Sequence, residues 1–194
     1  MKTKQTRQTY SSHRTWFTAD THYGHRGILA MEGRPWDDIA RHDDDLVYAW
    51  NAVVRPGDQV FHLGDFAMNS SAERCQDIFA RLRGDKHLII GNHDKPRHLG
   101  LPWASPPEML RTVHVDGTRI VLCHYGLRTW SGSWRGALHL YGHSHGKLPG
   151  TSRSCDVGVD CWGFRPISLA DILERMAATP TPPEEQRAEA DDAE

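Results

Sequence analysis

Short apolar runs alternate with amphipathic stretches along this chain. Thr15–Thr18, Gln59–Leu63, Lys86–Ile90 and Leu138–Tyr141 read as buried strands, each ending in polar or glycine-rich sequence. Arg111–Val115 and Arg119–Cys123 flank Asp116-Gly117, a strong signal for a two-residue hairpin. A further strand is expected near Cys155–Val159. Three segments carry helical periodicity instead. One starts at an Asp37 cap and shows Ile39, Leu46 and Trp50. The second starts at a Ser70/Glu73 capping box, shows Cys75, Ile78, Phe79 and Leu82, and stops at Gly84. The third starts at Ser168 with Asp171 and shows Leu169, Ile172, Leu173 and Met176. Strands alternating with helices, plus one hairpin, predict a layered α/β fold. The pattern divides the chain into a loosely ordered 1–14, one domain over 15–178, and a Pro-, Ala- and Glu-rich tail over 179–194 that cannot bury a core.

Composition narrows the class. With 194 residues, 38% hydrophobic and 25% charged, the chain suits one globular domain. A net charge of −2 gives no global field for nucleic acid or anionic membrane, and no extended nucleic-acid surface is evident. No apolar run is long enough to span a membrane, and residues 1–14 lack the apolar segment of a secretory signal. Cys75, Cys123, Cys155 and Cys161 form no C-x-x-C pair, and free thiols in a reducing cytoplasm are the expectation. Thirteen histidines favour metal binding.

The polar strand ends carry the chemistry. Asp20 and His22, Asp65, Asn92, His124, and His143 and His145 each follow an apolar run. Ligands in such sheets gather beyond the carboxyl ends of strands. Seven donors are too many for one tetrahedral zinc and suit two divalent ions sharing a carboxylate. Nitrogen and hard-oxygen donors without thiolates fit Mn²⁺, Fe²⁺ or Zn²⁺ better than Ca²⁺ or Mg²⁺. In Gly91-Asn92-His93-Asp94, a histidine stands beside an aspartate able to hold its ring, a pairing suited to proton transfer. Asp43, Asp44 and Asp45 point in different directions on a helix and read as a solvated face.

Asp20-x-His22, Gly64-Asp65, Gly91-Asn92-His93-Asp94, His124 and Gly142-His143-x-His145 together resemble, in order, the five motifs of the calcineurin-like metallophosphoesterase superfamily. Asp20-Thr-His-Tyr-Gly-His25 and Asp156–Pro166 look like its small bacterial and phage members. The resemblance implies a two-sheet β-sandwich flanked by helices. It implies that Asp20, His22 and His145 hold one metal, that Asn92, His124 and His143 hold the other, and that Asp65 bridges them. A metal-bridging hydroxide would attack phosphorus, His93 would protonate the leaving alkoxide, and Asp94 would orient His93. The implied activity is hydrolysis of a phosphoester, a nucleotide-type or other small phosphodiester being the expectation, with Mn²⁺ as the expected metal. A phosphomonoesterase or nucleotide pyrophosphatase would use the same residues, and a non-catalytic module on this fold would have lost some of them. The protein-phosphatase branch carries an Asp-Arg pair after the second motif, whereas Phe66-Ala67-Met68 follows Asp65 here.

Three residues are expected to touch substrate. His25 lies close to the first motif, and Arg128 and Arg135 lie between two ligand histidines, beside Trp130 and Trp134. His13, His42, His62, His87, His98, His114 and His139 read as surface or hydrogen-bonded side chains.

Overall fold

The computed structural model describes residues 9–182. In chain order its strands are β1 (Thr9–Tyr10), β2 (Thr15–Thr18), β3 (Gln59–His62), β4 (Asp85–Leu88), β5 (Leu110–Val115), β6 (Thr118–Cys123), β7 (Leu138–Tyr141), β8 (Ser154–Asp156) and β9 (Ile167–Ser168). The helices are α1 (Arg26–Met31), α2 (Ile39–Val53), α3 (Ala72–Arg81), α4 (Pro96–Leu99) and α5 (Leu169–Ala177). The strands form two mixed sheets, in the orders β4-β3-β2-β9 and β1-β5-β6-β7-β8. Helices flank them, the two-sheet layered architecture that the sequence resemblance implies.

The main core lies between the sheets. Phe17, Phe61, Leu63 and Ile89 meet Val113, Ile120, Leu122, Leu138 and Leu140, all buried. Each such side chain contributes about 1.5–3 kcal/mol by leaving water. Alternation along β3 turns Val60 the other way, onto Leu46 and Trp50 of α2 and Cys75, Ile78 and Phe79 of α3. α5 closes one end of the sandwich with Leu169, Ile172 and Met176.

Strand direction positions the site. β2, β3 and β4 are mutually parallel, and so are β6, β7 and β8. Each parallel set therefore delivers its following loops to one edge, where the segments bearing the candidate ligands meet. The hairpin at Asp116-Gly117 forms as expected, with φ of 45° and 84°, and positive φ at both turn residues matches the twist of the strands.

The structure departs from the sequence reading at several points. Thr9–Tyr10 pairs with β5, and Ser12 donates from its backbone N–H to Asp116, so order begins before Thr15. Residues 1–8 and the tail from 183 lie outside the described residues. Helix α2 is capped by Asp38, which accepts from the Arg41 N–H, rather than by Asp37. Helix α3 is capped by Ser71, and Ser70 is buried and donates to the Tyr23 carbonyl. Leu173 faces solvent. Asp43 leaves the solvated face: it is buried, and it accepts from the Gly24 N–H and from Arg74. Asp44 and Asp45 do stay exposed: Asp44 pairs with Arg81, and Asp45 accepts from the Trp36 indole and lies 3.7 Å from Arg41.

Candidate metal centre

Two groups of potential ligands face one cleft. Asp20, His22 and His145 form the first, and Asp65, His124 and His143 the second; within each, one donor atom per residue lies within 4.8 Å of the others. The groups share a neighbour. Asp65 Oδ2 lies 3.6 Å from His22 Nε2 and 3.6 Å from His124 Nε2, so one carboxylate oxygen faces both. Asn92 joins the second group, with Oδ1 3.0 Å from His124 Nε2.

Backbone strain holds these side chains in place. Asp20, His22, Asp65, His143 and His145 all have φ between 49° and 67°. Left-handed geometry costs a non-glycine residue about 1–3 kcal/mol, and proteins keep it where neighbouring structure enforces it. Enforcement comes from hydrogen bonds between loops: the Asp20, His22 and Tyr23 N–H groups donate to the Gly64, Asp65 and Phe66 carbonyls. Gly64 and Gly91 let two of these loops touch. A Cβ on Gly64 would lie 2.5 Å from His124 Nδ1, and one on Gly91 would lie 2.3 Å from Asp65 Oδ1.

Hydrogen bonds outside the groups set the ring orientations. His124 Nδ1 lies 2.7 Å from the Leu63 carbonyl, which can only accept, so Nδ1 carries the proton and Nε2 presents a lone pair. That lone pair faces the Asn92 oxygen. Two acceptors at 3.0 Å are what a shared cation needs. His145 Nδ1 contacts Asp160 Oδ2 at 2.7 Å, leaving its Nε2 for the cleft. Asp160 is gripped at both oxygens by Arg34, at 2.8 Å each. Arg34 is buried, and it also donates to the Asp20 and Thr21 carbonyls.

Burial without partners marks the same spot. Asp20 Oδ1 and both ring nitrogens of His22 are buried and make no hydrogen bond. Burial, and then the carboxylates of Asp156 and Asp65, push the Asp20 pKa well up. Burial, followed by the positive charge of Arg34, pushes His22 far down and keeps it a neutral lone-pair donor. A divalent cation would satisfy these orphaned atoms and reverse the repulsion among the carboxylates. The residues present therefore fit a pair of metal ions.

His93 stands at the cleft with its side chain about one-third exposed. Its N–H donates to Asp65 Oδ1 at 2.9 Å, and its Nε2 lies 4.0 Å from Asp65 Oδ2. Asp94 does not orient the His93 ring. Its carboxylate accepts from the backbone N–H groups of Asp65, Phe66 and Gly91, at 2.8–3.1 Å, and ties two loops together. Burial raises the Asp94 pKa, but its contact with His98 and these backbone donors outweigh that and leave it lowered.

The expected substrate contacts separate. His25 is brought in: its ring lies 5.4 Å from that of His22, with a buried, unpartnered Nδ1. Arg135 is not. The open cleft of about 440 Å³ is lined instead by Met31, Glu32, Lys147 and Leu148 beside Asp65, His93, His143 and His145. β6 and β7 are parallel, so their connection must run back along the sheet, and Arg135 ends near the start of β7 at the opposite pole. Arg128, partway along that return, is exposed and does not line the cleft. Sequence reasoning missed Arg34, Asp160, Glu32 and Lys147. Only Asp160, in the Asp156–Pro166 segment, carried a sequence signal.

Comparison with known proteins agrees with this geometry. The family model for calcineurin-like phosphoesterase matches residues 13–162. The gene 66 protein of Mycobacterium phage L5 is 30% identical over 193 residues, covering 82% of this chain and 92% of that protein. An uncharacterized protein of Methanocaldococcus jannaschii is 26% identical over 174 residues, covering 86% and 92%. Among solved structures, a protein of unknown function from Aquifex aeolicus shares the fold, with a TM-score of 0.64 and 22% identity over 81% of this chain and 96% of its own.

Proposed function

This chain belongs to the calcineurin-like phosphoesterase family, and on that premise we propose that it is a phosphodiesterase working with two divalent ions on a small, nucleotide-type diester. One observation carries the reading: a single carboxylate oxygen of Asp65 faces both ligand groups at 3.6 Å. Asp20, His22 and His145 would hold one ion, Asn92, His124 and His143 the other, with Asp65 between them. Nitrogen and oxygen donors without thiolate favour Mn²⁺, with iron or Zn²⁺ as alternatives. Bound ions would supply a water of lowered pKa and a clamp on the phosphoryl oxygens.

The chain's own residues supply the rest. His93 is anchored through its backbone to Asp65 while its ring stays accessible, so it can hold a proton for the departing oxygen. A departing alkoxide needs that proton, and this supports hydrolysis of an alkyl phosphoester. Asp94 acts one step back, fixing the backbone that places Asp65 and His93. His25 lies behind the cleft beside His22, and in this proposal it touches substrate phosphate. Four free thiols, three of them buried, support a reducing, cytoplasmic setting.

The test uses metal-stripped protein with bis(p-nitrophenyl) phosphate and with its monoester, Mn²⁺ added or withheld. The proposal expects Mn²⁺-restored turnover of the diester exceeding that of the monoester. Turnover of the monoester alone would make the protein a phosphatase and overturn the diester preference.

A further inference from the structure

A second cavity lies at the opposite pole of the five-stranded sheet, where β6 and β7 begin. It measures about 290 Å³, and Arg119, Thr129, Ser131, Trp134 and Arg135 line it. Arg119 precedes His124 by five residues along a strand, so the cavity lies about 17 Å from the metal centre at ~3.4 Å per residue. A single nucleoside phosphate held at one would not touch the other.

Its charge is uncompensated. Ion pairs among the described residues take up Arg14, Arg34, Arg41, Arg74, Arg81 and Arg111, but neither Arg119 nor Arg135. Arg119 Nη2 donates to Ser131 Oγ at 2.9 Å, and its Nε is buried with no partner at all. A buried guanidinium N–H without an acceptor is costly unless a ligand supplies one. Beside it, Trp134 is 64% exposed, so its ring is open to a stacking partner. The turn that presents Trp134 and Arg135 is built rather than loose. Gly132 and Gly136 bracket it with φ of 84° and 73°, and the buried Trp130 indole pins the loop to the Ala137 carbonyl at 2.8 Å.

We propose that this cavity is a second binding site, for a nucleoside phosphate. The two guanidinium groups take the phosphate oxygens, for which their planar donors are suited. The Trp134 face stacks on the base. The volume matches the lower end of small-ligand pockets and suits one nucleotide better than a polymer. This inference does not depend on the activity proposed for the metal centre.

The test is calorimetric titration of the full chain with ADP in chelator, which removes metal-borne binding. One saturable site is expected. Trp134→Ala should weaken it by about fivefold or more, the lower bound for base stacking. Arg135→Ala should weaken it about tenfold, as loss of a charge-assisted contact. Both side chains are exposed, so both variants should keep wild-type turnover of bis(p-nitrophenyl) phosphate. Absence of ADP binding would overturn the proposal, as would unchanged affinity in both variants. Adenosine or tripolyphosphate binding as tightly as ADP would remove one recognised half and overturn it too. Affinity that climbs with the length of a single-stranded oligonucleotide would replace the nucleotide with a nucleic acid. ADP binding lost in Asp65→Ala and retained in both other variants would move it to the metal centre.

Discussion

The two ligand groups differ in how completely the protein builds them. In the first, Asp20 and His22 are buried, the His143 N–H holds Asp20 Oδ2 at 2.8 Å, and the Asp160–Arg34 pair locks His145. In the second, Asp65 and His124 are buried, and a backbone carbonyl fixes His124. His143 and Asn92 are exposed, and the His143 ring rests against Tyr125 and His124 at 4.8 and 5.1 Å. Ordering before binding is therefore further advanced at the first group. The first group needs little rearrangement to take an ion, whereas the second must order exposed side chains. The first should therefore bind tightly, and the second should exchange.

Asp65 is where the contrast should collapse, because both groups face it. Asp65→Ala should lose the metal pair and bring turnover to background, read by metal analysis beside a diester assay. His93→Ala should leave both groups intact and lower kcat by roughly 10²–10⁴-fold, the range for a general acid. Its loss should be smaller with p-nitrophenolate, which departs without a proton. Full activity on an alkyl diester would remove His93 from the mechanism.

Asp160→Asn sharpens the comparison. It should weaken metal binding at the first group by about 10–100-fold, as loss of a partner behind a ligand does, and leave the second unchanged. Competition with a chromophoric chelator would resolve the two affinities. Equal weakening at both would mean that the Asp160–Arg34 pair serves the whole edge. The smallest effect concerns protons. Burial and neighbouring carboxylates raise the metal-free Asp20 pKa, so this carboxyl holds its proton to higher pH than usual. A metal must displace that proton, so affinity at the first group should rise with pH. Titrations in buffers of different ionisation enthalpy would count the proton released. No release would contradict the assignment of Asp20 as a ligand.

The gathering of the candidate ligands was legible because each follows an apolar run, and parallel strands bring their ends to one edge. The hairpin was legible because Asp-Gly tolerates the positive φ its turn requires. What stayed hidden depends on partners far along the chain. Arg34 and Asp160 are 126 residues apart, and nothing local to either marks the pair. Asp43 looked solvated because helical direction says which way a side chain points, not what packs there; the loop at Gly24 covers it. Arg135 looked close to the site because His124 and His143 flank it in sequence. A parallel β6–β7 pair requires its connection to run the length of the sheet, and that carries Arg135 to the far pole.

The measurement closest to the central claim is Mn²⁺ titration of the metal-stripped full chain, followed by calorimetry and electron paramagnetic resonance. A carboxylate shared by two groups predicts two binding events of unequal affinity, with the second bringing the spectrum of a magnetically coupled Mn²⁺ pair. A single event at saturation, or two ions whose spectrum remains that of isolated Mn²⁺, would contradict a centre bridged by Asp65.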